Sequence, residues 1–157
     1  MKIQTVYFDE VEVNEDKIIT FPFGLPGFQN ERQFIVMDIP ENPMFSVLQS
    51  VTNPDLAFII SSPYVIEHNY EFDLDETTVQ QLAITSVEDV SVFSIVTMKE
   101  TFEQSTINLQ APVIVNVKNN MGKQVVLNES RYHTKHPITS TKESEEKTDA
   151  RFNKENR

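Results

Sequence analysis

The sequence predicts an all-β fold: a small closed or partly open antiparallel β-barrel with one or two short helices. Three observations point there. β-Branched and aromatic residues gather in runs of about four to eight, at short spacing, between turn-forming clusters. Glycine is scarce, at 3 residues, while Pro and Asn mark the breaks between runs. Helical patterning is confined to one short stretch, which argues against strands alternating with helices. At 157 residues the chain has the length of one domain, enough to bury one sizeable core.

The elements follow in order. Val11 and Val13 flank an acid, as in a half-buried strand. Residues 17–21 form a second strand, ended by Pro22 and by Gly24, Leu25, Pro26 and Gly27. Residues 34–37 form a third, stopped near Pro40 and Pro43. Residues 45–51 and 56–61 are the next two, divided by the turn Thr52-Asn53-Pro54-Asp55. Residues 90–97, 107–117 and 124–127 complete the set, with Asn119-Asn120-Met121-Gly122 as a hairpin loop between the last two. Asp73 followed by Glu76 reads as a capping box for a short helix whose apolar edge is Val79 and Leu82. A helical turn is expected at residues 63–66. The domain is expected to span residues 1–138, and the polar, mixed-charge run 139–157 to be a disordered tail.

The net charge is −11. The tail is balanced, with Lys142, Lys147, Arg151, Lys154 and Arg157 against Glu143, Glu145, Glu146, Asp149 and Glu155, so the whole imbalance belongs to the folding body. Residues 33–98 contain no Lys or Arg and ten acids: Asp38, Glu41, Asp55, Glu67, Glu71, Asp73, Asp75, Glu76, Glu88 and Asp89. Such a surface repels phosphate backbones, which disfavours direct nucleic-acid binding, and it steers basic partners. Acidity also serves solubility, so charge alone names no function. The absence of cysteine removes disulfides, thiolate metal sites and a thiol nucleophile. No run approaches the roughly 18–20 apolar residues of a membrane span, and no secretory signal is visible, so a cytoplasmic location is expected.

Motifs for catalysis are sparse. There is no phosphate-cradling glycine loop, nucleophile elbow or His-Glu-x-x-His helix. His133 and His136 lack a convincing third ligand, and no metal or cofactor is expected. The carboxylate pairs Asp73 with Asp75 and Glu88 with Asp89 leave one alternative open, a small carboxylate-dependent hydrolase or lyase. In a chain this acidic they read better as solvated faces or helix caps. Two other motifs stand out. Residues 21–28, Phe-Pro-Phe-Gly-Leu-Pro-Gly-Phe, suit a rigid turn whose aromatics anchor one end of a barrel. At residues 108–112 a Pro follows Asn-Leu-Gln-Ala inside a strand-like run, which implies an edge, a bulge or a kink. An unpaired edge there would let a partner add a strand; a bulge would serve barrel closure only.

These pieces together resemble the flagellar assembly factor FliW family. The matching segments are residues 19–28, Leu48-Gln49-Ser50, residues 56–60, 70–74, 106–116 and 122–127, in an order that covers residues 1–138. The charged tail departs from the pattern. The resemblance implies a β-barrel-like protein without catalysis, monomeric when free, with two alternative protein partners. One is flagellin, held in the cytoplasm before export. The other is CsrA, a dimeric RNA-binding translational repressor, bound one copy per protomer so that repression of flagellin translation is relieved. Under this reading Asn108, Leu109, Gln110, Ala111 and Pro112 are expected to form the partner-contacting edge, and Leu48, Gln49 and Ser50 a second contact. Glu71, Asp73, Asp75, Glu88 and Asp89 are expected to supply the electrostatic field. Leu109→Asp with Ala111→Asp is expected to abolish binding while sparing the fold.

Overall fold

The computed structural model describes residues 1–139. Its strands are β1 (Lys2–Thr5), β2 (Asp9–Glu12), β3 (Ile19–Thr20), β4 (Gln33–Ile39), β5 (Asn42–Ser50) and β6 (Ala57–Ser61). Two short helices follow, α1 (Pro63–Ile66) and α2 (Glu76–Gln81), then β7 (Val90–Thr97), β8 (Thr106–Ile107), β9 (Val113–Asn116), β10 (Met121–Gln124) and β11 (His136–Pro137). β1 and β2 make a separate antiparallel hairpin, whose Ile3 packs with Val13 and Ile35. The other nine strands form one sheet in the order β11-β8-β7-β6-β5-β4-β3-β10-β9, and β9 pairs back onto β7. Hydrogen bonding therefore runs in a ring, with β8 and β11 branching from the far half of β7. Among the described residues every strand pairing is antiparallel except β10 with β3, which meet at the single parallel pair Met121 and Thr20. The fold found is the expected small, partly closed β fold, and of the one or two short helices expected it has two.

Period-2 alternation along the strands divides two cores. Inside the ring lie Ile19, Phe21, Phe34, Leu48, Ile60, Val113 and Val115. On the opposite strand faces, Phe45, Val96, Ile107, Leu109 and Leu127 pack with Ile66 of α1 and with Tyr70, Tyr132 and Ile138. The Phe-Pro-Phe-Gly turn anchors the first core. Phe21 is fully buried, edge-on to Phe34 at 5.5 Å between ring centroids. Gly122 lies against the Phe21 ring so closely that a Cβ would approach it to 2.8 Å. Gly24 has φ +67°, and a Cβ there would sit 2.5 Å from the Gln29 backbone, so the turn excludes any side chain.

Several boundaries differ from the sequence reading, each for a local reason. Pro43 lies within β5 rather than ending a strand. The β4–β5 register jumps from Asp38 opposite Ser46 to Ile39 opposite Asn42, and Pro43 falls in that irregularity, where no ladder N–H is needed. The run 107–117 is broken into β8 and β9. Asn108 donates its N–H to Ile95 while Val113 pairs with Phe93, so Ser94 alone faces the four residues 109–112. The cap of α2 is Asp75, not Asp73: its carboxylate accepts from the Thr78 N–H and hydroxyl at 3.1 and 2.7 Å. The last hairpin turns at residues 117–120, two positions early, with Asn120 at φ 55°. The tail expected beyond the domain lies, from residue 140 on, outside the described residues.

Candidate partner-binding surface

Both apolar candidate segments turn out to be internal. Leu48, Gln49 and Ser50 are each 0% exposed. Leu48 sits in the ring core. The Gln49 amide ties three segments together: its Oε1 accepts from the Val6 N–H at 3.0 Å, and its Nε2 donates to the carbonyls of Leu56 at 3.1 Å and Ser50 at 3.0 Å. Ser50 Oγ accepts from the Asn53 N–H at 2.9 Å, shaping the turn to β6. A side chain spent this way has none of its polar groups left for a partner. The expectation of a direct second contact at these residues is therefore corrected: they build the scaffold.

The segment 108–112 is a bulge whose backbone is already paired. Asn108 Oδ1 accepts from the N–H groups of Gln110 and Ala111 at 3.1 and 3.0 Å, an Asx turn. The Leu109 N–H donates to His133, and its carbonyl accepts a 2.6 Å hydrogen bond from the Tyr70 hydroxyl. Leu127 donates to the Gln110 carbonyl, Val125 to that of Pro112, and Gln124 Nε2 to that of Ala111. Leu109, Ala111 and Pro112 are buried, and only Asn108 and Gln110 remain half-exposed. The expected open edge is absent here because residues 124–127 occupy it. Leu109→Asp with Ala111→Asp would strike the core, not spare it.

The acids are on the surface but not in one field. Glu71, Asp73 and Asp75 lie on the loop before α2, and all three are exposed. That loop is clasped by aromatics: Tyr70 packs against Tyr132 with tilted rings, 4.6 Å between centroids, and the Tyr132 hydroxyl bonds to both backbone groups of Glu71 at 2.9 Å. Burial, reinforced by Tyr132 and Tyr64, holds the Tyr70 phenol far above its ordinary pKa. The Thr78 hydroxyl holds the Asp75 carboxyl below its ordinary value. Glu88 and Asp89 sit instead in the 3-10 turn Val87–Asp89 just before β7, where Asp89 meets Lys118 at 3.5 Å.

A feature missed from the sequence is a cleft of about 890 Å³ at one mouth of the ring. Val36, Met44, Val65, Phe93 and Val117 contribute apolar walls, and Asp16, Lys17 and Asp38 add charge. The signal was present: Val36 and Asp38 continue the inward face of β4 beyond Phe34, yet Val36 is 38% exposed. A second groove of about 520 Å³ separates Phe72, Asp73, Asp75 and Thr78 from residues 123–129. Among the described residues, no group of three or more His, Cys, Asp or Glu side chains is placed to hold a metal, and no helix is long and apolar enough to cross a membrane.

The profile of the FliW protein family matches residues 2–138. The chain belongs to the FliW family. A flagellar assembly factor FliW from Bacillus subtilis strain 168 is 52% identical over 138 residues, covering 88% of this chain and 96% of that one. Its counterpart from Oceanobacillus iheyensis is 51% identical over 140 residues, 89% of this chain and 95% of the relative. A crystal structure of the flagellar assembly factor FliW superposes with a TM-score of 0.81 at 41% identity, covering 88% of this chain and 96% of the other. The FliW match therefore extends over both cores, both grooves and the clasp, and the charged run beyond residue 138 is outside it.

Proposed function

We propose that this FliW-family chain is a cytoplasmic regulatory binding protein that exchanges two protein partners. It holds flagellin before export. Free of flagellin, it binds CsrA, one copy per CsrA protomer, and relieves repression of flagellin translation. No chemistry is performed. Family membership carries this reading, since the relatives bear the name of a flagellar assembly factor. The acidic body supports it: a repressor that grips RNA needs a basic surface, which acids such as Glu71, Asp73, Asp75, Glu88 and Asp89 attract while repelling RNA phosphates. Asn108 and Gln110 are the members of the 108–112 segment open to contact, and the buried ones act by holding the bulge in shape.

The alternative hydrolase or lyase needs a carboxyl raised toward neutrality in a groove. Asp75, in the groove facing residues 123–129, is displaced the other way. The test is gel filtration of this protein with purified CsrA at low salt, followed by titration against a CsrA–RNA complex. A one-to-one complex per protomer with release of RNA is expected, and added flagellin should reverse it. No complex at low salt would end the reading.

A further inference from the structure

The sequence pointed to an open strand edge at residues 108–112; the structure carries that edge one strand outward. Val125 and Leu127 both donate their N–H groups to the 108–112 segment, to Pro112 and Gln110 at 2.9 and 2.8 Å. That two-residue spacing is the hydrogen-bonding period of a strand, so the intervening backbone groups point the opposite way. Among the described residues, the N–H and C=O of Val126 and of Asn128 have no hydrogen-bond partner. They border the groove of about 520 Å³ whose other wall is Phe72, Asp73 and Asp75. Val126 is 64% exposed, and Phe72 is half-buried, so the groove has apolar as well as acidic surface.

The geometry points to the outer edge of residues 124–128 as a docking site for an extended basic peptide of a protein partner, which adds to the sheet as a further strand. Three features choose the occupant. The free N–H and C=O groups of an edge are satisfied by another backbone in extended form. Five residues at about 3.3 Å each present roughly 16 Å of edge, the length of an ordinary strand. The carboxylate of Asp73 has no hydrogen-bond or ion-pair partner among the described residues, and Asp75 stands beside it, so Lys or Arg side chains on the incoming strand meet opposite charge. An incoming strand with alternating apolar and basic residues places one set on Val126 and Phe72 and the other near the acids. Lys123, whose ammonium donates to Gln81 Oε1 at 2.7 Å, brings one positive charge to the groove lining, where the carboxylates of Asp73 and Asp75 outnumber it.

The inference concerns the groove and stands whether or not CsrA and flagellin are the partners. Its probe is a fluorescein-labelled Val-Lys-Val-Lys-Val-Lys-Val peptide, titrated into the full chain and followed by fluorescence polarisation. Saturable binding is expected, weakening as salt rises. A Val-Glu analogue and a version N-methylated at alternate residues should each bind at least tenfold more weakly. Val126→Pro removes the central of the two outward donors, Val126 and Asn128, without breaking an internal hydrogen bond, and should cost the peptide at least tenfold. Should Val126→Pro perturb the fold, hydrogen exchange on the unaltered protein decides: the Val126 amide is expected to exchange freely alone and to become protected with saturating peptide. No binding of the peptide, equal binding of the Val-Glu analogue, or an unprotected Val126 amide in its presence would overturn the proposal.

Discussion

Replacing Leu109 by Ala separates a structural role for the 108–112 segment from a contact role. Leu109 is 1% exposed and packs among Tyr70, Ile107, Leu127 and Tyr132. Truncating a buried Leu to Ala removes its transfer free energy and leaves a cavity, together about 2–5 kcal/mol. That is a large part of a total folding free energy of about 5–15 kcal/mol. With a urea slope of about 2 kcal/mol per molar, the middle of the usual range, the unfolding midpoint should fall by roughly 1–2.5 M. An Asp at the same position adds the cost of a buried, unpaired carboxylate and should leave little folded protein. Urea titration followed by circular dichroism reads the midpoint, and CsrA capture is measured well below it. A Leu109→Ala protein with an unmoved midpoint and lost capture would refute the argument and return Leu109 to the contact surface.

Other outcomes follow from the same geometry. Tyr70→Phe strips the buried Leu109 carbonyl of its donor and should cost about 1–3 kcal/mol in urea titration; the same change should delete the tyrosine that resists ionisation in an alkaline absorbance titration. Asp75→Ala removes the α2 cap and should cost about 0.5–2 kcal/mol. Because the folded carboxyl titrates below its ordinary value of 3.8, its own contribution is present above that pH and is lost as pH falls through the lowered folded value, so the stability gap between wild type and Asp75→Ala should narrow as pH falls below 3.8. His136, on β11, has its pKa lowered by burial, against an opposing pull from Glu67. The folded state then binds fewer protons than the unfolded chain, so stability should decline as pH drops below 6.5, and His136→Gln should flatten that decline.

How much of this was legible in the sequence depended on whether the deciding interaction was local. β7 could be read to its last residue, since an eight-residue run of Val, Ile, Phe, Ser and Thr has one reasonable conformation. The turn at residues 21–28 was legible because Gly and Pro announce it. Leu48, Gln49 and Ser50 were expected as a contact on the resemblance alone, and nothing near Gln49 in sequence discloses that Val6 and Leu56 absorb its amide. The Asn-Leu-Gln-Ala-Pro segment carried a true signal, an interrupted strand, but the choice between open edge and bulge rested on residues 124–127 arriving from elsewhere. β1, β8 and β11 hold only two to four residues each and exist through their partners, not through propensity. The cap fell on Asp75 and not on Asp73 because it is Asp75 that stands three residues before Thr78, whose N–H and hydroxyl it accepts.

The single parallel pair that closes the ring has a kinetic meaning. Thr20 and Met121 stand roughly a hundred residues apart, whereas β4, β5, β6 and β7 join neighbours in the chain. Loop-closure entropy opposes the distant contact most, and one residue pair returns the least for it. The meander should therefore form first and the seam last, and the seam should be the first to reopen. Transient parting of β3 from β10 would lift Phe21 off Gly122 and expose the interior without melting the meander. The molecule is in this sense a clasp with a preferred place to open, and amide exchange at Thr20, faster than at Ile35 or Leu48 within the meander, would mark it.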